Sequence, residues 1–127
     1  MVTKTPARRI AIQRAYEDPT PHDGYRVLVD RFWPRGRSKE ALHLDEWARD
    51  LAPQPELIHW FGHDPMRWDA FRAQYRAALA APVQQERLRA VLTAAGSHPI
   101  TLVYGAHDTQ HNQAVVLAEV LAEIDAA

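Results

Sequence analysis

Two short apolar runs constrain the fold of this chain more than any other feature. One, Val27-Leu28-Val29, lies within residues 25–30 between Gly24 and a charged pair, and the other spans residues 100–104. Apolar runs of this length between turn residues are typical of fully buried strands. We therefore predict two buried core strands, each of which leads directly into a polar loop.

A third strand is predicted over residues 9–16, where Ile10 and Ile12 alternate loosely with other residues. Only residues 17–24, with two prolines and a glycine, link it to the next run. A parallel crossover normally needs about a dozen residues or more. The two strands therefore either form an antiparallel hairpin, which the short link favours, or are not direct neighbours.

Helical periodicity accounts for most of the remaining chain. Residues 44–51 carry Leu44, Trp47, Ala48 and Leu51 at helical spacing. Further helices are predicted over residues 55–61, 64–81, 83–95 and 110–124, with glycine caps at Gly62 and Gly96. The order strand, strand, helices, strand, helix predicts one α/β or α+β domain with a small sheet covered by helices.

Composition excludes several classes of function. The chain has 127 residues, which suits a single domain, and its first eight residues are expected to be flexible. It contains no cysteine, which excludes disulfides, thiolate metal sites and a cysteine nucleophile. The formal charge of −1 argues against a general nucleic-acid-binding surface but leaves room for a local basic patch.

No targeting or membrane segment is predicted. Apolar runs stay well below the roughly 18 residues that span a bilayer. Residues 1–9 lack the apolar segment of a signal peptide. We therefore expect a soluble, cytoplasmic protein that has no membrane partner.

Ligands of open α/β sheets bind beyond the carboxyl ends of the strands. Two loops leave such ends here, residues 30–37 (the 30–37 loop) and residues 105–112 (the 105–112 loop). If the two core strands are parallel neighbours, these loops face each other. The functional surface is therefore predicted where they meet.

The 30–37 loop combines arginines with an indole. Guanidinium groups bind phosphate or carboxylate through paired hydrogen bonds, an indole offers a flat face for a ring, and glycine permits close backbone approach. The predicted ligand-binding residues are Arg31, Trp33, Arg35 and Gly36. In the alternative, Arg31 pairs with Asp30 or Asp108, Trp33 fills the edge of the core, and the other arginines are solvated.

The 105–112 loop leads into the N-terminus of the last predicted helix, where free N–H groups attract anions. Asp108 and Asn112 are predicted to bind a ligand there, although Asp108 could instead cap the helix. His107 and His111 have a spacing that can share a metal, but no third ligand is fixed by spacing. We predict no metal site and no cofactor.

Three residues are candidates for proton transfer. Asp30 follows a core strand, His111 lies beside the helix start, and His63 has no evident packing role in its turn. We name them as the candidate catalytic residues.

Several runs together resemble a known family. They are residues 23–36, 51–53, 60–65, 68–75 and 102–114. The chain resembles the YeaO-like family of short bacterial proteins, part of a larger domain-of-unknown-function group (DUF 488), over residues 9–121. The resemblance implies an α/β domain with a parallel-type core and no established reaction. Longer relatives often carry Cys-His-Arg where this chain has Asn112-Gln113-Ala114, so no thiol-dependent role transfers.

Three functions remain open at this point. The first is a pocket, with or without catalysis, for a small anion such as a phosphorylated or nucleotide-like molecule. The second is a non-catalytic protein-interaction domain. The third is a nucleic-acid-binding module that uses Arg31, Arg35, Arg37 and Lys39, against which the near-neutral charge counts. The sequence does not predict an oligomeric state.

Overall fold

The computed structural model of the protein describes residues 8–127. The expectation of a flexible first segment falls on residues 1–7, outside that range, and on Arg8. The Arg8 guanidinium binds the carboxylate of Asp125, with Nε to Oδ2 at 2.9 Å. This ion pair joins the start of the described chain to its last helix.

Within the described residues, four parallel strands form one sheet. They are β1 (Ile10–Arg14), β2 (Tyr25–Leu28), β3 (Glu46–Trp47) and β4 (Ile100–Tyr104). The spatial order is β1-β4-β2-β3. The predicted α/β class, with a parallel sheet in one domain, is confirmed, and the two core strands β2 and β4 are direct neighbours.

The hairpin that the short link favoured is wrong. β4 lies between β1 and β2, so the alternative, that these strands are not direct neighbours, is right. No helix lies between β1 and β2, so the link only has to run back along the length of one short strand to reach the start of β2. A five-residue strand is about 17 Å long, a distance that an extended link of this length covers easily.

Five helices are described between residues 8 and 127. They are α1 (Lys39–Leu42), α2 (Pro55–Phe61), α3 (Trp68–Leu79), α4 (Pro82–Ala95) and α5 (Gln113–Ala126). The predicted glycine end of α2 is confirmed, since Gly62 has a φ of 56° and its N–H bonds to Ile58. Asp64 caps a 3₁₀ turn, Pro65–Arg67, that leads into α3.

Two helix predictions need correction. Residues 44–51 form β3 and a 3₁₀ turn, Arg49–Leu51, because the main chain there bonds to β2 instead of to itself. The N–H of Asp45 donates to Arg26 and that of Ala48 donates to Leu28, both at 2.9 Å. The last helix begins at Gln113, since Asp108 takes up the N–H groups of the preceding turn.

The sheet separates two apolar clusters because side chains alternate along a strand. On one face, Val27 and Leu102 pack with α3, α4 and α5 in the main core. On the other, Leu28 and Val103 pack with Leu42 and Ala15 in a small cluster beneath the 30–37 loop. That loop therefore lies on a buried apolar base. No helix within residues 8–127 is long and apolar enough to cross a membrane.

Candidate functional site

The two predicted loops meet at the carboxyl edge of the sheet. Asp30 lies just beyond β2, and its Oδ2 accepts a hydrogen bond from the main-chain N–H of Gly105, just beyond β4, at 2.9 Å. A β-carbon on Gly105 would lie 2.9 Å from the same oxygen. Glycine is therefore needed for this approach, and the expected facing of the loops is found.

Asp30 links three elements, two through its carboxylate and one through its main-chain carbonyl. Besides Gly105, it accepts a hydrogen bond at Oδ1 from the side-chain amide of Gln113, the first residue of α5. Its own carbonyl oxygen accepts from Trp47 Nε1 of β3 at 2.7 Å. Burial raises the pKa of Asp30 to about 6, while the hydrogen bonds from Gly105 and Gln113 act in the opposite direction. The carboxyl group therefore changes charge close to neutral pH.

A half-open cavity of about 570 Å³ lies where the loops meet. Its volume is in the usual range for small-molecule sites. The apolar lining comes from Tyr16, Phe32, Trp33, Pro34, Pro53, Ile58 and Ala106. The polar lining comes from Asp30, Arg31, His63, Gly105, His107, Asp108 and Gln113.

Arg31 lines the cavity, and two of its five N–H donors serve the fold. Its Nε donates to the carbonyl of Pro53 and its Nη2 to that of Ala52, both at 3.0 Å. The carbonyl of the preceding residue, Leu51, accepts from the hydroxyl of Tyr75 in α3. Two side chains thus satisfy three successive carbonyls, and neither Asp30 nor Asp108 is the partner of Arg31.

The other loop arginines do not meet at the cavity. Arg37 donates from Nε to the carbonyl of Ala15 at 2.7 Å. The side chain of Arg35 is exposed and makes no hydrogen bond to residues 8–127, while its carbonyl accepts from the Tyr16 hydroxyl. Gly36 has a φ of 77°, a conformation that favours glycine in this turn, and it is not among the described residues that line the cavity. Of the predicted ligand-binding residues in this loop, the structure brings Arg31 and Trp33 to the cavity.

The Trp33 side chain is held in place and forms one wall of the cavity. Its Nε1 donates to the carbonyl of Arg37 at 2.6 Å, and its ring meets that of Trp47 edge-on, with 5.5 Å between centroids. It also packs against the small apolar cluster under the loop. The indole therefore both completes that cluster and presents a surface to the cavity, which combines the two sequence interpretations.

Three N–H groups at and just before the start of α5 already have partners in the protein. Asp108 Oδ1 accepts from the N–H groups of Gln110 and His111, and these bonds, with His111, lower the pKa of Asp108. The cap of α5 itself is Asn112, whose Oδ1 accepts from the N–H of Val115. The alternative for Asp108, that it satisfies these donors itself, agrees with the geometry, and Asn112 is a buried structural residue.

The candidate histidines lie in two places. His63 lines the cavity from the turn after α2, where its φ of 57° is unusual for a non-glycine residue. His111 binds Asp108 Oδ2 through Nδ1 at 2.9 Å and meets the ring of Trp68 edge-on at 5.2 Å. In the part of the chain that the structure describes, no three histidine or carboxylate side chains come together as a metal site.

Four residues that line the cavity from outside the two loops were not predicted from the sequence: Tyr16, Pro53, Ile58 and Gln113. Tyr16 lies just beyond β1, so the rule about carboxyl ends finds it once β1 is known to be parallel to the core strands. Gln113 reaches Asp30 from the first turn of α5. No residue pattern marks this glutamine, because its role depends on where the helix begins.

The fold and the site together define a small parallel α/β domain with a cavity at the carboxyl edge of its sheet. The chain belongs to the DUF488 family: the family model described as "Inactive DUF488-N3 subclade" matches residues 9–126. This confirms the resemblance drawn from the sequence motifs.

Curated relatives agree with this membership. The Escherichia coli K12 protein described as "Uncharacterized protein YeaO" is 42% identical over 110 residues, which cover 87% of this chain and 94% of that protein. "Uncharacterized protein Rv3073c" of Mycobacterium tuberculosis H37Rv is 37% identical over 113 residues, covering 89% and 93%. No solved structure matches the chain significantly.

Proposed function

We propose that the protein is a non-catalytic binding protein that holds a small molecule in the cavity between the 30–37 and 105–112 loops. One observation carries this proposal: a half-open, mainly apolar cavity contains the carboxylate of Asp30, which hydrogen bonds from Gly105 and Gln113 hold in place. Small-molecule sites commonly combine apolar walls with a few fixed polar groups.

The walls are suited to a flat apolar ligand group. Trp33 is fixed from two sides, by Arg37 and Trp47. Phe32 is 66% exposed although it is a large apolar residue. Exposed aromatic surface beside a cavity costs free energy in water, and a ligand that covers it recovers that free energy.

Two features support binding without turnover. The family model carries the word "inactive" in its description. The best acid–base pair near the site is Asp108 with His111. The His111 ring packs against Trp68, and His111 is not among the described residues that line the cavity. Of the three candidate catalytic residues, Asp30 and His63 line the cavity, and in the described residues no hydrogen bond joins the two side chains.

The anion hypothesis rests on Arg31 in this geometry. The N–H groups of Gln110 and His111, in the turn before α5, already bind Asp108, and the Arg35 side chain is exposed. Nucleotides and sugar phosphates therefore belong in the ligand screen, but the apolar walls give equal reason to include uncharged and cationic ring compounds.

A fragment screen tests the proposal. Thermal shift and protein-observed NMR would be recorded for wild type, Phe32→Ala and Asp30→Asn, with Met66→Ala as the control for loss of an exposed apolar residue. We expect hits that perturb the amides of Gly105 and Gln113 and that bind more weakly to the first two variants, with Met66→Ala unchanged. A ligand at about 100 times its Kd adds about 2.7 kcal/mol. A screen without hits, or hits unaffected by both cavity substitutions, would contradict the proposal.

A further inference from the structure

We infer that the ligand is an organic cation, a primary ammonium or guanidinium group joined to a flat apolar group. This inference rests on the proposed function, since it concerns the same cavity. It is carried by the charges and aromatic rings that face this space.

Formal negative charge outweighs formal positive charge in the described lining, and Asp108, like Arg31, already has partners in the protein. Asp30 and Asp108 are the acidic residues that line the cavity, and Arg31 is the arginine. The Arg31 guanidinium lies against the carbonyl dipoles of Ala52 and Pro53, which offset part of its charge. Formal charge in the described lining is therefore negative when both carboxyl groups are ionised.

The remaining titratable groups near the cavity do not reverse this balance. His63 and His107 line it from two different turns, and Tyr16 lines it from the end of β1. Arg14 of β1 lies beside them, with Nε on the carbonyl of Ala106 and its guanidinium 5.2 Å from the centre of the Tyr16 ring. This cation is thus already engaged and is not among the described residues that line the cavity.

Aromatic faces provide the second part of a cation site. Three rings, from Tyr16, Phe32 and Trp33, border the cavity. The negative face of an aromatic ring attracts ammonium and guanidinium groups, most strongly for tryptophan. The contact of Arg14 with Tyr16 shows this preference at the edge of the cavity itself.

Asp30 provides the counter-charge. Each of its oxygens accepts one hydrogen bond from the protein, and a carboxylate oxygen has room for two. An ammonium group could use the remaining acceptor positions while its hydrocarbon part covers Phe32 and Trp33. A partly buried carboxylate gains more from such a partner than an exposed one, because solvent screens it less.

A matched set of probes tests the inference. Tryptamine, tryptophol and indole-3-acetate share one ring and differ in the charge of the side chain. We expect calorimetry at neutral pH to show tryptamine binding about tenfold more tightly than tryptophol, with indole-3-acetate weaker still. Asp30→Asn is expected to remove most of the preference for tryptamine, whereas Asp69→Asn, an exposed aspartate on α3, leaves it unchanged.

The pH dependence of binding gives an independent readout. Protonation of Asp30, whose pKa is raised by burial to about 6, removes the counter-charge. Tryptamine affinity should therefore fall as the pH is lowered through that value in wild type, and much less in Asp30→Asn. Tryptophol affinity should change little in either protein.

The outcomes separate the two proposals. Equal binding of all three probes, or tighter binding of indole-3-acetate, would overturn the cation inference and leave the proposed binding function in place. Tighter tryptamine binding that Asp30→Asn does not reduce would also overturn it. Binding of none of the three at millimolar concentration would count against both proposals.

Discussion

Asp30 Oδ2 and the main-chain nitrogen of Gly105 are 2.9 Å apart, and a side chain on Gly105 would come equally close to that oxygen. We predict that Gly105→Ala lowers the free energy of unfolding by about 1–3 kcal/mol, because the methyl group displaces a carboxylate that Gln113 also holds. Urea denaturation measures this change. The cost should shrink in an Asp30→Ala background, and an equal cost in both backgrounds would show that the carboxylate is not the obstacle.

Stability should depend on pH through Asp30. Its pKa is about 6 in the folded protein against a reference value of 3.8, so the folded state binds more protons between these values. This contribution to stability is complete below the reference value and is lost as the pH rises through about 6, with a total of up to about 3 kcal/mol. Other carboxyl groups add their own pH dependence, so the difference between wild type and Asp30→Asn is the relevant quantity.

We therefore expect Asp30→Asn to be at least as stable as wild type at neutral pH and to lose its relative advantage in acid. Denaturant titrations at several pH values measure this. If the difference in unfolding free energy between wild type and Asp30→Asn stays constant across this pH range, the raised pKa of Asp30 is refuted. An advantage at neutral pH combined with weaker ligand binding would mark Asp30 as a residue kept for function at some cost in stability.

Arg31 should be irreplaceable by lysine. A single ammonium group cannot match the fork that reaches the carbonyls of both Ala52 and Pro53. We expect Arg31→Lys to reduce stability by about 1–2 kcal/mol. Arg35→Lys is the matched control in the same loop and should be neutral, since that side chain is exposed. Similar losses in both variants would show that the loop, and not the carbonyl contacts, responds to the substitution.

Asn112 should act as a cap for α5 and as a tie to the loop before it. Its Oδ1 accepts from Val115 and its Nδ2 donates to the carbonyl of Asp108 at 2.8 Å. Asn112→Ala is expected to cost about 1–2 kcal/mol in thermal or chemical unfolding. Asn112→Asp retains the capping oxygen but loses the N–H donor, so its stability should lie between those of wild type and Asn112→Ala. If alanine is tolerated without loss, the buried amide contributes nothing to the helix start.

The meeting of the two loops could be predicted from the sequence because it follows from one physical rule. If the two core strands are parallel neighbours, as the structure has them, they end at the same edge of the sheet. The parallel direction of the two core strands was the one condition, and no knowledge of the loop geometry was needed. The same rule would have found Tyr16 if β1 had been placed beside β4.

The misassigned segment shows where local pattern fails. Leu44, Trp47, Ala48 and Leu51 repeat at helical spacing, yet their main chain pairs with β2. A two-residue strand is too short to show alternation, and tertiary hydrogen bonds override the local preference.

The arginines of the 30–37 loop show a second limit. Three guanidinium groups beside an indole suggest a ligand, but Arg31 and Arg37 bind carbonyls of Ala52, Pro53 and Ala15. Those acceptors come from segments distant in sequence, and every residue offers a carbonyl, so no residue type identifies them. The destination of an arginine therefore depends on the fold.

The edge-on contact of Trp33 with Trp47 has a spectroscopic consequence. Because the two indoles are 5.5 Å apart, with ring planes 74° from parallel, we expect their excited states to couple and to contribute to the ultraviolet circular dichroism spectrum. Since Trp33 lines the cavity and Trp47 holds the carbonyl of Asp30, a change at either end alters that coupling. The signal of this indole pair is therefore expected to report on changes at this edge of the cavity.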